Sequence, residues 1–284
     1  MKHPSLSMVL PSKLAFSFLI LLFVTFASCE KPITSDGDAD TDSGVSQNDN
    51  LVVWIPVDGV SSSRLNFAVY DMSGNRVKQV NQQSSDANFG LASFQLAQGD
   101  YLLVVVAHSS DGNPAMANPR KIQFTNAQGF TDTFLYSGNV TIGEERKELY
   151  VAPRRIVSLC RFIMTDDYPA DVAKMRFYYT GGSGAFDATT GLGCVNSKQS
   201  VLFEVADGRK AFDLYTFLHA TEGTIHLKVT AYDAGDNVLY EREFDVPMKQ
   251  NSITLMTGSY FTGSVSVSSV TINTGWDDEY HLTF

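Results

Sequence analysis

Cys29 is the residue of this chain best placed for covalent chemistry. It follows Phe26-Ala27-Ser28, and small side chains at such a point let a signal peptidase grip an extended backbone. A thiol there can take a diacylglycerol. Upstream, Lys2 and Lys13 precede an apolar run from Leu14 to Phe26, the basic start and greasy middle of an export signal. The run is short for a membrane span, and polar residues follow it directly. An ordinary signal peptide with a chance cysteine is the plainer alternative. On the lipid reading, residues 1–28 are a signal peptide. The mature chain then begins at Cys29 and is held on a membrane by acyl chains such as palmitate.

Other reactive sets are incomplete. Gly181-Gly-Ser183-Gly-Ala185 falls short of a nucleophile elbow, because Ala185 stands where the last glycine belongs. His108, His219, His226 and His281 are scattered and share no metal-ligand spacing. The pairs Asp166-Asp167 and Asp277-Asp278 lie beside turns, where solvated acids are far commoner than catalytic dyads. Asp38, Asp40 and Asp42 alternate like the start of a calcium loop, but Ser43 takes the sixth position, which needs glycine. No phosphate or dinucleotide fingerprint occurs. The chain reads as no enzyme, with no metal site and no cofactor. Trp54 and Trp276 read as core or strand-end residues rather than a sugar platform.

Charge narrows the partners. The formal net charge is −10, and no basic stripe appears, so nucleic acid is not expected. Of the three cysteines, Cys29 is assigned to lipid. Cys160 and Cys194 would meet an oxidising compartment, so a disulfide between them is open. Two buried thiols are the simpler reading, since nothing in the spacing fixes bridge geometry.

The elements that must carry any site are strands. Residues 29–50 form an acidic tether, with Glu30, Asp36, Asp38, Asp40, Asp42 and Asp49 against Lys31. It has too few apolar side chains to fold, and its charges repel. From Leu51 the pattern changes. Leu51-Val52-Val53-Trp54-Ile55 is a short apolar run. Leu65, Phe67 and Val69 alternate with Asn66, Ala68 and Tyr70, which predicts a strand with one face inward. Tyr101–Ala107 is apolar on both sides, as a central covered strand is. Residues 109–150 read as a long connection with one or two strands. Composition resets across the charged stretch Glu144–Arg155, which suggests a boundary between domains 51–150 and 151–284. In the second domain Ile225, Leu227, Val229 and Ala231 alternate, and Asp233-Ala-Gly-Asp-Asn237 predicts a hairpin. The chain closes in Ser-rich strands around Val265, Val267, Val270 and Ile272. With 44% hydrophobic residues and turns at short spacing, the fold class is all-β, two tandem sandwiches.

Five motifs carry a resemblance. Phe26-Ala-Ser-Cys29 resembles the bacterial lipobox, with Phe26 where Leu is usual. Leu96-Ala-Gln-Gly99-Asp-Tyr101 resembles the strand-joining turn of transthyretin-like sandwiches, with Gln98 in place of Pro. Val246-Pro-Met-Lys-Gln-Asn251-Ser-Ile-Thr-Leu255 with Gly258-Ser-Tyr-Phe261, and the ending Val270-Thr-Ile272-Asn-Thr-Gly-Trp276, are similar to the closing strands of FimB/Mfa2 fimbrial subunits of Bacteroidales. Tyr179-Thr-Gly181-Gly-Ser fits the same pattern.

The resemblance implies two transthyretin-like β-sandwiches and a lipoprotein of the outer membrane, exposed on the cell surface within a fimbrium that supports adhesion. Partners would be other fimbrial subunits, joined by strand exchange, with the membrane reached through lipid on Cys29. Leu51, Val52, Val53, Trp54 and Ile55 are the candidate exchange segment. Stalk subunits of the family are cut after a basic residue near the first strand, which removes their lipid. Here no Lys or Arg lies between Lys31 and Arg64, which favours an anchor or accessory subunit. The alternative is a surface glycan-binding lipoprotein beside an outer-membrane uptake system. The host or bacterial ligand is not readable.

Overall fold

A computed structural model describes residues 45–56, 62–205 and 208–263, together with the backbone of 278–283. The lipobox with Cys29, most of the tether, the strands around Val265–Ile272 and Trp276 lie outside the described residues. No described residue lies in an α-helix, so none provides a helix long and apolar enough to cross a membrane.

The first half runs β1 (Leu51–Trp54), β2 (Arg64–Asp71), β3 (Arg76–Gln83), β4 (Leu91–Phe94), β5 (Gly99–His108), β6 (Ala115–Asn118), β7 (Lys121–Gln123), β8 (Phe134–Ile142) and β9 (Lys147–Tyr150). The second runs β10 (Arg154–Arg155), β11 (Ser158–Met164), β12 (Lys174–Thr180), β13 (Ala185–Asp187), β14 (Leu192–Gly193), β15 (Gln199–Glu204), β16 (Ala211–Thr216), β17 (Glu222–Tyr232), β18 (Val238–Lys249), β19 (Ser252–Gly258) and β20 (Asp278–Thr283).

These strands make two sandwiches. In the first, the sheet β10-β8-β5-β2-β3 faces the three-stranded sheet β4-β1-β9. Leu65, Phe67 and Val69 of β2 and Leu103 and Val105 of β5 meet Leu51 and Val53 of β1 in its core. In the second, β16-β11-β19-β20 faces β15-β12-β17-β18. There Phe162, Phe177, Phe212, Leu227 and Met256 interlock. The central strand predicted over 101–107 is β5, paired on both sides by β2 and β8.

Two hairpins use one turn. In Asp71–Asn75, Asp71 Oδ1 accepts from the backbone N–H of Ser73 and Asn75, and Asn75 Nδ2 donates to Oδ2, each at 2.9 Å. In Asp233–Asn237, Asp233 takes the matching N–H groups of Gly235 and Asn237 and the Asn237 amide. The fourth position is left-handed in both, Gly74 at φ 85° and Asp236 at φ 63°. In each turn the Asn side chain, chief among these donors, holds the aspartate below its usual range.

Two expectations change. Residues 109–150 hold four strands, β6 to β9, rather than one or two. Their patterns are short and interrupted by Asn113-Pro114 and Asn118-Pro119, so period alone hides them. Strand β2 is also buried on both faces, not one. Ala68 and Tyr70, on its second face, enter a third core with Val104, Val106, Met116, Ile122, Leu159, Phe186, Phe217 and Ile253. Tyr70 satisfies its hydroxyl there by donating to the Met116 carbonyl at 2.6 Å. The four-stranded sheet β14-β13-β7-β6 joins strands from both sides of residue 150.

Candidate strand-exchange site

Strand β1 is the first strand of the described chain and sits in the middle of its sheet. It runs antiparallel to β4, pairing Leu51 with Phe94 and Trp54 with Leu91. It runs parallel to β9, pairing Leu51 with Lys147 and Trp54 with Tyr150. The ladders extend past both ends. Asn50 N–H donates to Phe94 O at 3.0 Å and Ile55 N–H to Gly90 O at 2.8 Å, while Asn50 O and Trp54 O accept from Lys147 and Val151 at 2.8 and 2.9 Å.

Side chains follow the strand's period of two. Leu51, Val53 and Ile55 point into the first core. Leu51, Val52 and Val53 all have 0% exposure, so both faces of β1 are covered along those residues. Trp54 alone reaches solvent, at 37% exposure, and stacks on Tyr150 with ring centroids 6.1 Å apart and planes 11° apart. The reading of Trp54 as a strand-end residue holds.

The β4 edge is held by side chains. Gln82, buried on β3, donates through Nε2 to Leu91 O at 2.6 Å and accepts from Gly90 N–H at 3.0 Å, which pins the start of β4. The Asn50 carboxamide closes a two-bond ring with the Leu96 backbone, at 2.8 and 3.0 Å. Ser93 Oγ donates to Asp49 at 2.6 Å. Without β1 the Gln82 bonds to Gly90 and Leu91 would still hold the start of β4, and the floor of the slot would be apolar.

Sequence reasoning located β1 and missed its parallel partner. Lys147–Tyr150 lay in the stretch read as a charged boundary. The usable signal is alternation, with Leu149 and Val151 on the core side and Glu148 and Tyr150 exposed.

The remaining marked residues serve the fold. Cys160 and Cys194 are both free thiols, one buried and one exposed. The bridge left open by the sequence is thus not formed here, and the second thiol is not in a core. Cys160 Sγ lies 3.6 Å from Met256 Sδ, and burial pushes its thiol far up. Cys194 is pushed up more mildly, again mainly by burial. Ser183 accepts from the backbone of Ala185 at 3.1 Å and of Val195 at 3.2 Å, which ties its hydroxyl to a turn. His108 is buried on β5. Its Nδ1 accepts from Ser110 N–H at 3.1 Å, so Nε2 carries the proton that goes to Asn66 Oδ1 at 2.8 Å. Burial, with Arg64 adding repulsion, lowers its pKa to about 3. Among the described residues no group of three His, Cys, Asp or Glu could hold a metal.

Comparison with known proteins places this frame among others. A family model described as a family of unknown function (DUF6562) matches residues 117–283. No curated protein matches the chain. Among solved structures it is similar to a candidate adhesin from Bacteroides ovatus, at TM-score 0.51 and 17% identity, covering 71% of this chain and 87% of that one. It is similar also to a fimbrial assembly protein from Parabacteroides distasonis, at TM-score 0.41 and 12% identity over 82% and 97% of the two chains. A third is the fimbrial anchor protein Mfa2 from Porphyromonas gingivalis, at 0.39 and 11% over 68% and 80%. With the first of these the chain shares a fold.

Proposed function

Since the chain belongs to the DUF6562 family, whose function is unknown, we propose its role from β1 outward: a lipid-anchored subunit of a cell-surface fimbrium, joined to its neighbour by strand exchange and supporting adhesion. The observation that carries this reading is the position of β1, a first strand seated centrally between β4 and β9 with Leu51, Val52 and Val53 fully buried. A strand so placed can be replaced by one from a neighbour. The incoming strand would meet backbone donors and acceptors on both walls and put every second side chain into the apolar floor.

The anchor role rests on Cys29 and on the missing basic residue between Lys31 and Arg64. With no cut available to an Arg- or Lys-directed protease there, β1 stays joined to its lipid. It would leave the slot by swinging on the tether while the protein remains on the outer membrane. In this role the protein is a FimB/Mfa2-type structural component rather than an enzyme, built of sandwiches 51–150 and 151–284. The fold shared with the candidate adhesin supports a surface role.

Two variants test the parts separately. Cys29→Ser should release the protein from the membrane pellet, because several acyl chains give stable anchoring and none remains. Equal pelleting after a carbonate wash would remove the lipid from the account. Val53→Asp, which puts an unpaired charge on the buried face of β1, and deletion of residues 51–55 should each empty the slot and so alter incorporation into fimbriae. Strand exchange fails if neither change alters assembly of a fimbrium that contains this protein.

A further inference from the structure

A cleft of about 630 Å³ opens where the chain passes from the first sandwich to the second, at β10 and the turn from β18 to β19. Its lining includes Arg154, Arg155, Lys249, Thr221, Gln250 and Asn251. Three cations gathered in one cleft are unusual on a chain of net charge −10.

They are not equivalent. Arg155 is consumed by the fold. Its Nε and Nη2 meet both oxygens of Asp132 at 2.7 and 2.9 Å, Nη1 reaches Asn251 Oδ1 at 3.4 Å, and its guanidinium lies 4.7 Å from the Phe134 ring centroid. That cancels one charge and fixes one wall. The exposed Arg154 guanidinium makes no hydrogen bond or ion pair among the described residues, and Lys249 adds a second cation at the rim. Asn251 is held at φ 55°, and its N–H donates to Val157 O at 2.9 Å. Gln250 Nε2 donates to Ile156 O and Gly191 O at 3.2 and 2.9 Å. The polar wall is therefore preorganised, and the Arg154 guanidinium faces solvent.

We propose that this cleft binds a carboxylated saccharide, a uronic or sialic acid residue. Arg154 and Lys249 receive the carboxylate, and Thr221, Gln250 and Asn251 meet the ring hydroxyls. A planar guanidinium suits a carboxylate. The volume fits a small ligand, typically ~300–1,000 Å³, and is far larger than a bare anion needs. Uncharged hydroxyl and amide groups around the cations give a sugar ring partners that a simple anion would leave unused. The proposal goes beyond strand exchange, and none of these residues belongs to β1, so the two readings fail separately.

The test is calorimetric titration of the full chain with glucuronic acid and with N-acetylneuraminic acid. Glucose, inorganic phosphate and a short peptide with a free carboxyl terminus are titrated alongside. The acidic sugars should bind, glucose should not, and added salt should weaken the binding. Arg154→Gln and Lys249→Gln should each weaken it by about tenfold, the scale of one lost charge-assisted hydrogen bond. Unchanged melting temperatures would show that the fold is intact. The proposal is overturned if glucose binds equally well, if both variants bind like the wild type, or if no acidic sugar binds. Phosphate or the peptide binding more tightly than either acidic sugar overturns it too.

Discussion

His108 shows how little a side chain's type says about its task. In the sequence it is one of several scattered histidines, and its neighbours Ala107 and Ser109 give no hint of a role. In the fold it is buried and spends both ring nitrogens on Asn66 and Ser110. The consequence is a pH dependence. Its folded pKa, about 3, lies below the usual 6.5, so the unfolded chain takes up the proton first as pH falls. The stability of the neutral ring is complete above about pH 6.5 and drains away toward pH 3. At pH 5 the loss should be about 2 kcal/mol. Urea unfolding at pH 7.5 and pH 5 should show this drop in the wild type, and His108→Gln should reduce it. A variant with the same pH slope as the wild type would mean that His108 titrates normally. The cysteines differ in a similar way. Cys194 should react with a maleimide in the native state and Cys160 only after unfolding, read as one label against two by mass spectrometry of a Cys29→Ser chain.

At the scale of elements, strong patterns were legible and interrupted ones were not. Strand β5 could be read because seven consecutive residues, Tyr101 to Ala107, leave no polar face, and the β17–β18 hairpin because alternation meets a turn rich in Asp, Gly and Asn. Of the site, β1 itself was visible as an apolar run. Its seating between β4 and β9 was not, because the parallel partner lies more than ninety positions away (Leu51 with Lys147), and no local pattern encodes such a pairing. The glycines after β12 carry a sharper constraint. Gly181 has φ +90°, and a Cβ there would run into the Thr224 carbonyl oxygen, which is backbone and cannot step aside. Gly129, at φ +72°, has open space. Gly181→Ala should therefore cost about 2–5 kcal/mol, backbone strain plus overpacking, and Gly129→Ala about 1 kcal/mol. Thermal melts of both variants measure the difference, and equal losses would refute the steric account.

The two described sandwiches are tied together by the third core. The sequence suggested a break near residue 150, yet Tyr70, Val104 and Met116 share a core with Leu159, Phe186 and Phe217. That link was hidden because it uses the second faces of strands whose first faces already explained their pattern. Phe217 is 1% exposed and packs on Phe186, with centroids 4.8 Å apart. Phe217→Ala should cost about 3–5 kcal/mol. Because the core is shared, hydrogen exchange in peptides from 62–150 and from 158–258 should accelerate together. Acceleration confined to the second set would mean that the halves unfold independently. The seating of β1 has one more consequence, and it is mechanical. A tug on the amino end directed along β1 loads its ladders to β4 and β9 in shear, so their hydrogen bonds must yield together rather than one by one. Pulling apart the β17–β18 hairpin from its two ends would unzip a single ladder from one end. Single-molecule stretching from residue 45 should rupture at higher force than stretching across that hairpin.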